Sequence, residues 1–258
     1  MVGRRCDSTI FFVAAPESNA KTPGRKVLFR MVEAAINTEK ALRGLCLFCG
    51  ARSDSAHFCA ECGRIQPVAS GSDYFGFFGL PRKLLIDESG LEKTFYSLSR
   101  QFHPDYFMNA GELEQQASME RSSMLNDAYR TLRDSIARVT YLLALEGYNE
   151  AEKKAPPDLL EEVFELNMQI EELRGAKKMC DEEEIAGARA SLEEALASLR
   201  VKLTGIDERI FALFADWDSA LDRSALETGK KPLLDQMSRL LSHRSYIRNL
   251  VRNIKEEL

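Results

Sequence analysis

The chain has 258 residues, of which 45% are hydrophobic and 29% charged, and its formal net charge is -5 at neutral pH. These values predict a soluble globular protein with one large domain or two small ones. They argue against nucleic-acid binding along the whole surface, and no apolar run approaches the ~20 residues of a membrane-spanning helix.

The N-terminal 42 residues are basic and poor in acidic residues. A short apolar run follows Arg4 and Arg5. This pattern is typical of an organelle-targeting segment, and it fits a disordered tail equally well. A secretion signal fits less well, because the apolar run is at or below the usual length and Asp7 interrupts the approach to it. We expect residues 1–42 to be a disordered tail or an organelle-targeting segment.

A cluster of cysteines follows, with two CxxC pairs separated by nine residues. The four cysteines are Cys46, Cys49, Cys59 and Cys62. Gly50 and Gly63 follow the second cysteine of each pair and permit the tight turn that aims both thiolates at one point. The set predicts a structural tetrahedral zinc site and a reducing compartment. Iron, a redox dithiol or four reduced core cysteines are the alternatives, and His57 is expected to lie outside the ligand set.

A helix is predicted from near Gly90 to Phe102. Its apolar stripe is Leu91, Phe95, Leu98 and Phe102. Pro104 removes His103 from helical space, so the helix ends there. Lys93 and Arg100 are seven residues apart and therefore share a second face of this helix.

The rest of the chain is also predicted to be helical. A second helix spans about Glu112–Arg133, and a third helical piece stops near Gly147. A polar stretch at 148–157 suits a domain boundary. Three apolar-striped helices follow, at about Asp158–Met179, Asp181–Leu221 and Pro232–Glu257. Short loops between such helices predict an antiparallel bundle, with Trp217 in its core.

The sequence HPD, His103 to Asp105, has a catalytic interpretation that the rest of the chain does not support. There are three histidines, and no nucleophile elbow, phosphate-binding loop or HExxH motif is present. We therefore predict that the protein is not an enzyme. Pro and Asp are also ordinary turn residues, but here they follow a basic helix face and precede a second amphipathic helix.

Three segments together resemble a J-domain, the module of DnaJ-type co-chaperones: DYFGFFGL, LEKTFYSLSRQFHPDYF and LNDAYRTLRD. The aromatic opener, the Tyr-Phe after HPD and the later RVTYLLALEGY resemble the HscB family, the J-proteins of iron–sulfur cluster biogenesis. The four-cysteine module is similar to that of eukaryotic mitochondrial members. The resemblance covers about residues 46–258, and its most specific motifs lie in the J-domain.

The resemblance implies a mechanism in which the ATPase activity belongs to a partner. The protein would dock on an ATP-bound DnaK-type chaperone and trigger hydrolysis, with His103, Pro104 and Asp105 as the trigger. Lys93 and Arg100 would steer docking to an acidic patch. Asp105 would form a salt bridge with an arginine of the chaperone.

The resemblance also implies that the C-terminal helices bind an IscU-type iron–sulfur scaffold protein. The segment DLLEEVFELNMQIEEL matches the family's scaffold-binding helix, with Leu160, Phe164 and Glu165 at the contact. Alternatively, Leu160 and Phe164 lie on a bundle face that is core. The last helix is expected to add a contact through His243 or Tyr246.

The predicted fold is all-α and L-shaped: a zinc module, a J-domain helical hairpin and a C-terminal three-helix bundle. The predicted domains are a tail or targeting segment at 1–42, a zinc module at 43–70, a J-domain at 71–147 and a scaffold-binding bundle at 157–258. The expected function is co-chaperone in iron–sulfur cluster assembly in the mitochondrial matrix, with the cytoplasm as the alternative. A general J-protein for another client or a metal-binding adaptor is the alternative function. A homodimer is left open, and no role is assigned to Cys6 or Cys180.

Overall fold

The structure is a computed structural model that describes residues 45–52, 57–69, 71–148, 159–223 and 227–258. The predicted tail or targeting segment therefore lies outside the described residues. Contacts divide the chain into two compact units, Met1–Cys62 and Gly63–Leu258. The regular structure of the described residues is helical, as predicted. No described helix is long and apolar enough to cross a membrane.

Seven α-helices lie in the described part of the second unit. They are α1 (Tyr74–Phe77), α2 (Glu88–Phe102), α3 (Glu112–Arg133), α4 (Ser135–Leu145), α5 (Leu160–Met179), α6 (Glu182–Asp222) and α7 (Glu227–Glu257). Aspartates cap four of them: Asp73, Asp87, Asp134 and Asp181 accept hydrogen bonds from backbone amides in the first turns of α1, α2, α4 and α6. Such caps satisfy amides that have no partner within the helix.

The last helix begins earlier than the sequence predicts. Pro232 was expected near its start, but α7 begins at Glu227 and carries Pro232 inside it. At the sixth position, the ring removes one amide donor and crowds the carbonyl of the preceding turn, and the helix continues through it. Gly205 likewise lies within α6 and does not interrupt it.

The hairpin of α2 and α3 buries the stripe that the sequence predicts. Leu91, Leu98 and Phe102 are buried in α2. Phe95 is half-buried and stacks on Tyr129 of α3, with the ring centroids 4.2 Å apart. Aromatic stacking of this kind adds about 0.5–1.5 kcal/mol to the burial of apolar area. The hairpin is therefore packed along its whole length.

The helices α5, α6 and α7 form the predicted bundle. Neighbouring helices are tied by ion pairs: Lys202 with Glu162 at 2.7 Å, and Arg244 with Asp207. The largest fully buried side chains on these helices are Leu173, Leu192, Leu199, Ile210 and Trp217. Trp217 is 1% exposed, which confirms its predicted place in the core.

Candidate docking surfaces and metal centre

The HPD loop, residues 103–105, lies between α2 and α3 and is exposed. Pro104 holds His103 in an extended conformation (ψ 125°) and opens a short 3-10 turn. The Asp105 amide donates to Nδ1 of His103 at 3.3 Å. The side chains of His103 and Asp105 are 53% and 76% exposed. Neither is enclosed with a nucleophile in a water-excluded pocket, so the loop is suited to contact another molecule.

Polar side chains of α3 hold the ends of this loop. Ser118 and Ser122 donate their hydroxyls to the carbonyl oxygen of Phe102, at 2.7 and 2.9 Å. Phe102 is the last residue of α2, so its carbonyl has no amide partner within the helix. Gln115 donates to the carbonyl oxygen of Ala110 at 2.9 Å. The exposed loop is thus fixed by buried or half-buried groups on both sides.

The basic face of α2 leads up to this loop. Lys93 and Arg100 are both exposed, and Arg100 lies in the last turn of the helix. Two exposed apolar side chains follow the loop, Tyr106 (75% exposed) and Met108 (70%). The sequence prediction did not assign them a contact, although the aromatic residue directly after HPD was the available signal.

A second exposed surface lies on α5 and is defined by Leu160, Phe164 and Met168, which we call the α5 face. These residues are 55%, 66% and 51% exposed and recur every four positions, so they share one side of the helix. The alternative that Leu160 and Phe164 are core is therefore wrong. Glu165 is also exposed, and Met168 was missed by the sequence prediction.

The opposite side of α5 supplies its buried residues. Leu166, Leu173 and Ala176 are buried there. On α7, His243 and Tyr246 are both half-buried. The α5 face thus has the character of a contact surface, since large apolar side chains gather there without being used in the core.

The four predicted cysteines converge, and their thiol sulfurs all lie within 4.8 Å of one another. Cys46 and Cys62 are 3.6 Å apart at sulfur, and Cys49 and Cys59 are 3.7 Å apart. A tetrahedral zinc–thiolate site with Zn–S bonds of about 2.3 Å requires S–S separations of about 3.8 Å. The positions therefore fit zinc, although they do not identify the metal.

The turns and charges of this cluster also suit a cation. Gly50 and Gly63 adopt left-handed conformations with φ of 72° and 70°, as predicted for the two turns. Burial opposes ionisation of Cys46, but amide hydrogen bonds from Cys49 and Phe48 outweigh it and lower its pKa to about 6. One thiolate thus forms readily, whereas further thiolates beside it need a positive charge between them.

The cluster does not include His57 or Cys180. Among the described residues, the four-cysteine cluster is the one group whose ligand atoms could hold a metal, and His57 is not in it. Cys180 is exposed and ends α5 in a left-handed conformation with φ of 55°. Cys6 lies outside the described residues.

Comparisons with known proteins agree with these features. No family model matches the sequence. The mouse iron–sulfur cluster co-chaperone protein HscB is 28% identical over 223 residues, covering 84% of this chain and 83% of the mouse protein. A co-chaperone protein HscB homologue of Vibrio cholerae is 33% identical over 157 residues, covering 58% of this chain and 86% of that protein.

The chain belongs to the HscB co-chaperone family. The resemblance inferred from the sequence is confirmed. The crystal structure of human co-chaperone protein HscB has a TM-score of 0.57 to this chain at 24% identity, covering 83% of this chain and 98% of the human one. That likeness supports the all-α HscB fold. The HscB relatives are named as co-chaperones, in agreement with the prediction that the chain is not an enzyme.

Proposed function

We propose that this HscB-family protein delivers an IscU-type iron–sulfur scaffold to a DnaK-type chaperone and stimulates the ATPase of that chaperone. The observation that carries the proposal is the HPD loop, which is exposed at the end of the helix that carries Lys93 and Arg100 and is fixed from behind by α3. A fixed loop presents its donor and acceptor groups without losing much conformational entropy on binding. The names of the relatives support the link to iron–sulfur clusters.

In the proposed encounter, Lys93 and Arg100 attract an acidic patch of the chaperone, which raises the association rate more than the affinity. Asp105 then pairs with an arginine of the chaperone, for which its exposed carboxylate is suited. Because the HPD loop binds the two conformations of the chaperone unequally, it shifts their equilibrium toward the one that hydrolyses ATP. The bond-breaking chemistry stays with the chaperone.

The α5 face is the proposed site for the scaffold. Leu160 and Phe164 supply apolar area, and Glu165 lies beside them to pair with a basic residue of the scaffold. Exposed aromatic and aliphatic anchors of this kind carry most of the energy of protein interfaces. His243 or Tyr246 of α7 is the proposed additional contact.

We also propose that the cysteine cluster holds one structural zinc ion. Cys46, Cys49, Cys59 and Cys62 would supply all four ligands, which leaves no position for a reacting water. The proposed location is the mitochondrial matrix. It is supported by the mouse and Arabidopsis relatives, both named as iron–sulfur cluster co-chaperones, and by the similarity of the four-cysteine module to that of mitochondrial members.

Replacement of His103 tests the proposed trigger. We expect His103→Gln to return the ATPase rate of the chaperone to its unstimulated value, measured with purified chaperone in the absence of scaffold. His243→Gln makes the same chemical change on α7 and should keep full stimulation. Stimulation that survives His103→Gln would show that the HPD loop is not the trigger.

A further inference from the structure

A buried carboxylate on α6 binds the chain segment that leads into α2. Asp218 is 7% exposed. One of its oxygens accepts the backbone amide of Leu84 at 2.8 Å, and the other accepts the amide of Leu85 at 3.0 Å. A carboxylate accepting two amide hydrogen bonds away from water is a strong anchor, since loss of its charge leaves buried donors without a full partner.

The two residues before these amides are also held by α6. The indole nitrogen of Trp217 donates to the carbonyl oxygen of Arg82 at 3.0 Å. The ammonium of Lys83 lies 2.7 Å from a carboxylate oxygen of Asp222. Four consecutive residues, 82–85, therefore contact α6 through polar groups, and the side chain of Leu84 is fully buried beside them.

A buried cation, Arg138, interacts electrostatically with this carboxylate. Arg138 of α4 is 3% exposed, and its Nε and Nη1 have no hydrogen-bond partner among the described residues. Burial lowers the pKa of Arg138, and the negative charges of Glu88, Asp134 and Asp218 oppose that effect. Asp218 therefore also offsets part of the cost of keeping this guanidinium charged inside the protein.

The same helix also contacts α5. α6 is continuous for 41 residues, which corresponds to about 60 Å at 1.5 Å per residue. Lys202 of α6 pairs with Glu162 at the start of α5, within the segment that carries Leu160 and Phe164. Lys202 and Asp218 are separated by about 24 Å of uninterrupted helix. A single rigid element thus contacts both the scaffold-binding helix and the segment that precedes the chaperone-docking helix.

We propose that Asp218 is a positioning residue that couples the α5 face to α2, so that a scaffold bound on α5 is held at a fixed orientation to the HPD loop. The inference rests on the proposed function, because it assigns a consequence to the two docking surfaces. Without this contact, each surface would still bind its own partner. We expect bound scaffold to add to the ATPase stimulation, because scaffold and chaperone are then held in one geometry, and we expect this addition to be lost without the contact.

The test compares Asp218→Asn with the wild type in the full chain. The amide side chain of Asn offers one acceptor instead of two, so hydrogen exchange of the Leu84 and Leu85 amides should accelerate about tenfold. Scaffold affinity and scaffold-free stimulation should each stay within about twofold of the wild type, since their contact residues are unchanged. The extra stimulation that saturating scaffold adds should fall by about threefold or more, because scaffold and chaperone would no longer be held at a fixed orientation.

Two further variants control this comparison. Asp222→Asn removes the ion pair to Lys83 one turn away. Because an exposed ion pair contributes little, exchange and extra stimulation should change far less than in Asp218→Asn. Trp217→Phe removes the hydrogen bond to Arg82 and also part of a fully buried side chain, so its unfolding free energy is measured beside its activity. It should reproduce the loss of extra stimulation more weakly, even if Asp218→Asn folds poorly.

Three results would overturn the inference. Extra stimulation that survives in Asp218→Asn despite faster exchange shows that the contact does not couple the surfaces. A parallel loss of scaffold affinity and scaffold-free stimulation shows a purely structural role. If the wild type itself gives no stimulation, the proposed function fails and this inference fails with it, whereas the first result removes the inference alone.

Discussion

Ser118 donates its hydroxyl to the carbonyl oxygen of Phe102 at 2.7 Å, immediately before the HPD loop. Ser122 donates to the same oxygen at 2.9 Å. Because the carbonyl group has two donors, we expect Ser118→Ala to cost about 1 kcal/mol of folding stability. The Ser118→Ala/Ser122→Ala pair should cost about 1–3 kcal/mol, since a buried acceptor is then left unpaired. Urea denaturation followed by the fluorescence of Trp217, the one tryptophan of the chain, measures both.

The same variants test whether a fixed loop matters for stimulation. We expect a higher concentration of the double variant to be needed for half-maximal stimulation of the chaperone. Without the two hydroxyls the loop is freer, so it loses more conformational entropy on docking than the wild-type loop does. Ser123→Ala changes an exposed serine of the same helix and should alter neither quantity. An unchanged half-maximal concentration in a destabilised double variant would show that α3 supports the fold and not the docking.

The α5 face predicts a separation of binding from stability. The Leu160→Ala/Phe164→Ala variant should keep the unfolding free energy within about 1 kcal/mol, because both side chains are exposed. Scaffold affinity in calorimetry should fall by about 10-fold to 100-fold, as expected when central apolar contacts are removed. Wild-type affinity in this variant would mean that the scaffold binds elsewhere.

Two other variants of α5 serve as controls for this double variant. Met179→Ala removes an apolar side chain that is 80% exposed at the far end of α5 and should leave scaffold affinity unchanged. Leu166→Ala truncates a residue that is 4% exposed and should cost about 2–5 kcal/mol of stability.

The cysteine cluster predicts one bound metal ion for each chain. Elemental analysis of protein purified without added metal should find zinc, and Cys46→Ser should lose most of it, because three thiolates bind the ion more weakly than four. Binding energies of such sites are on the order of 10 kcal/mol or more and are coupled to folding of the module. Iron in the analysis would contradict the zinc assignment. Cys180→Ser, at an exposed cysteine outside the cluster, should keep the full metal content.

The helices and the cysteine cluster could be predicted from the sequence because their signals are local. Apolar spacing, the proline after His103 and the paired CxxC motifs each depend on residues close in the chain. The spacing of apolar residues could not predict which side of α5 is buried, since the helix carries apolar residues on both sides. Leu166 and Leu173 are buried while Leu160 and Phe164 are exposed, and packing in the bundle with α6 and α7 decides between them.

Asp218 was missed for a related reason. Its partners are the backbone amides of Leu84 and Leu85, more than a hundred positions away, and backbone groups leave no mark in a sequence. A weak signal was present, because Asp218 lies four residues after Phe214 on a face that is otherwise apolar and buried. A charged residue at a core position of a helix indicates a buried polar contact.

The ends of the bundle predict a dependence of stability on pH. Arg174 of α5 pairs with the carboxylate of Glu257 on α7, with Nε 3.1 Å from one carboxylate oxygen. The hydrogen bond from Arg174 lowers the pKa of Glu257 below its ordinary value of 4.5.

A carboxyl group with a lowered pKa in the folded state stabilises the fold above its ordinary pKa. It loses that contribution as the pH falls through the lowered value. The melting temperature of the wild type should therefore exceed that of Glu257→Gln at neutral pH and converge with it as the pH falls below the lowered pKa of Glu257. Glu256→Gln, whose carboxylate lies 4.0 Å from Arg252 at the surface, should show no such difference. A gap between the wild type and Glu257→Gln that persists unchanged to low pH would contradict the ion-pair account and indicate a packing role for Glu257.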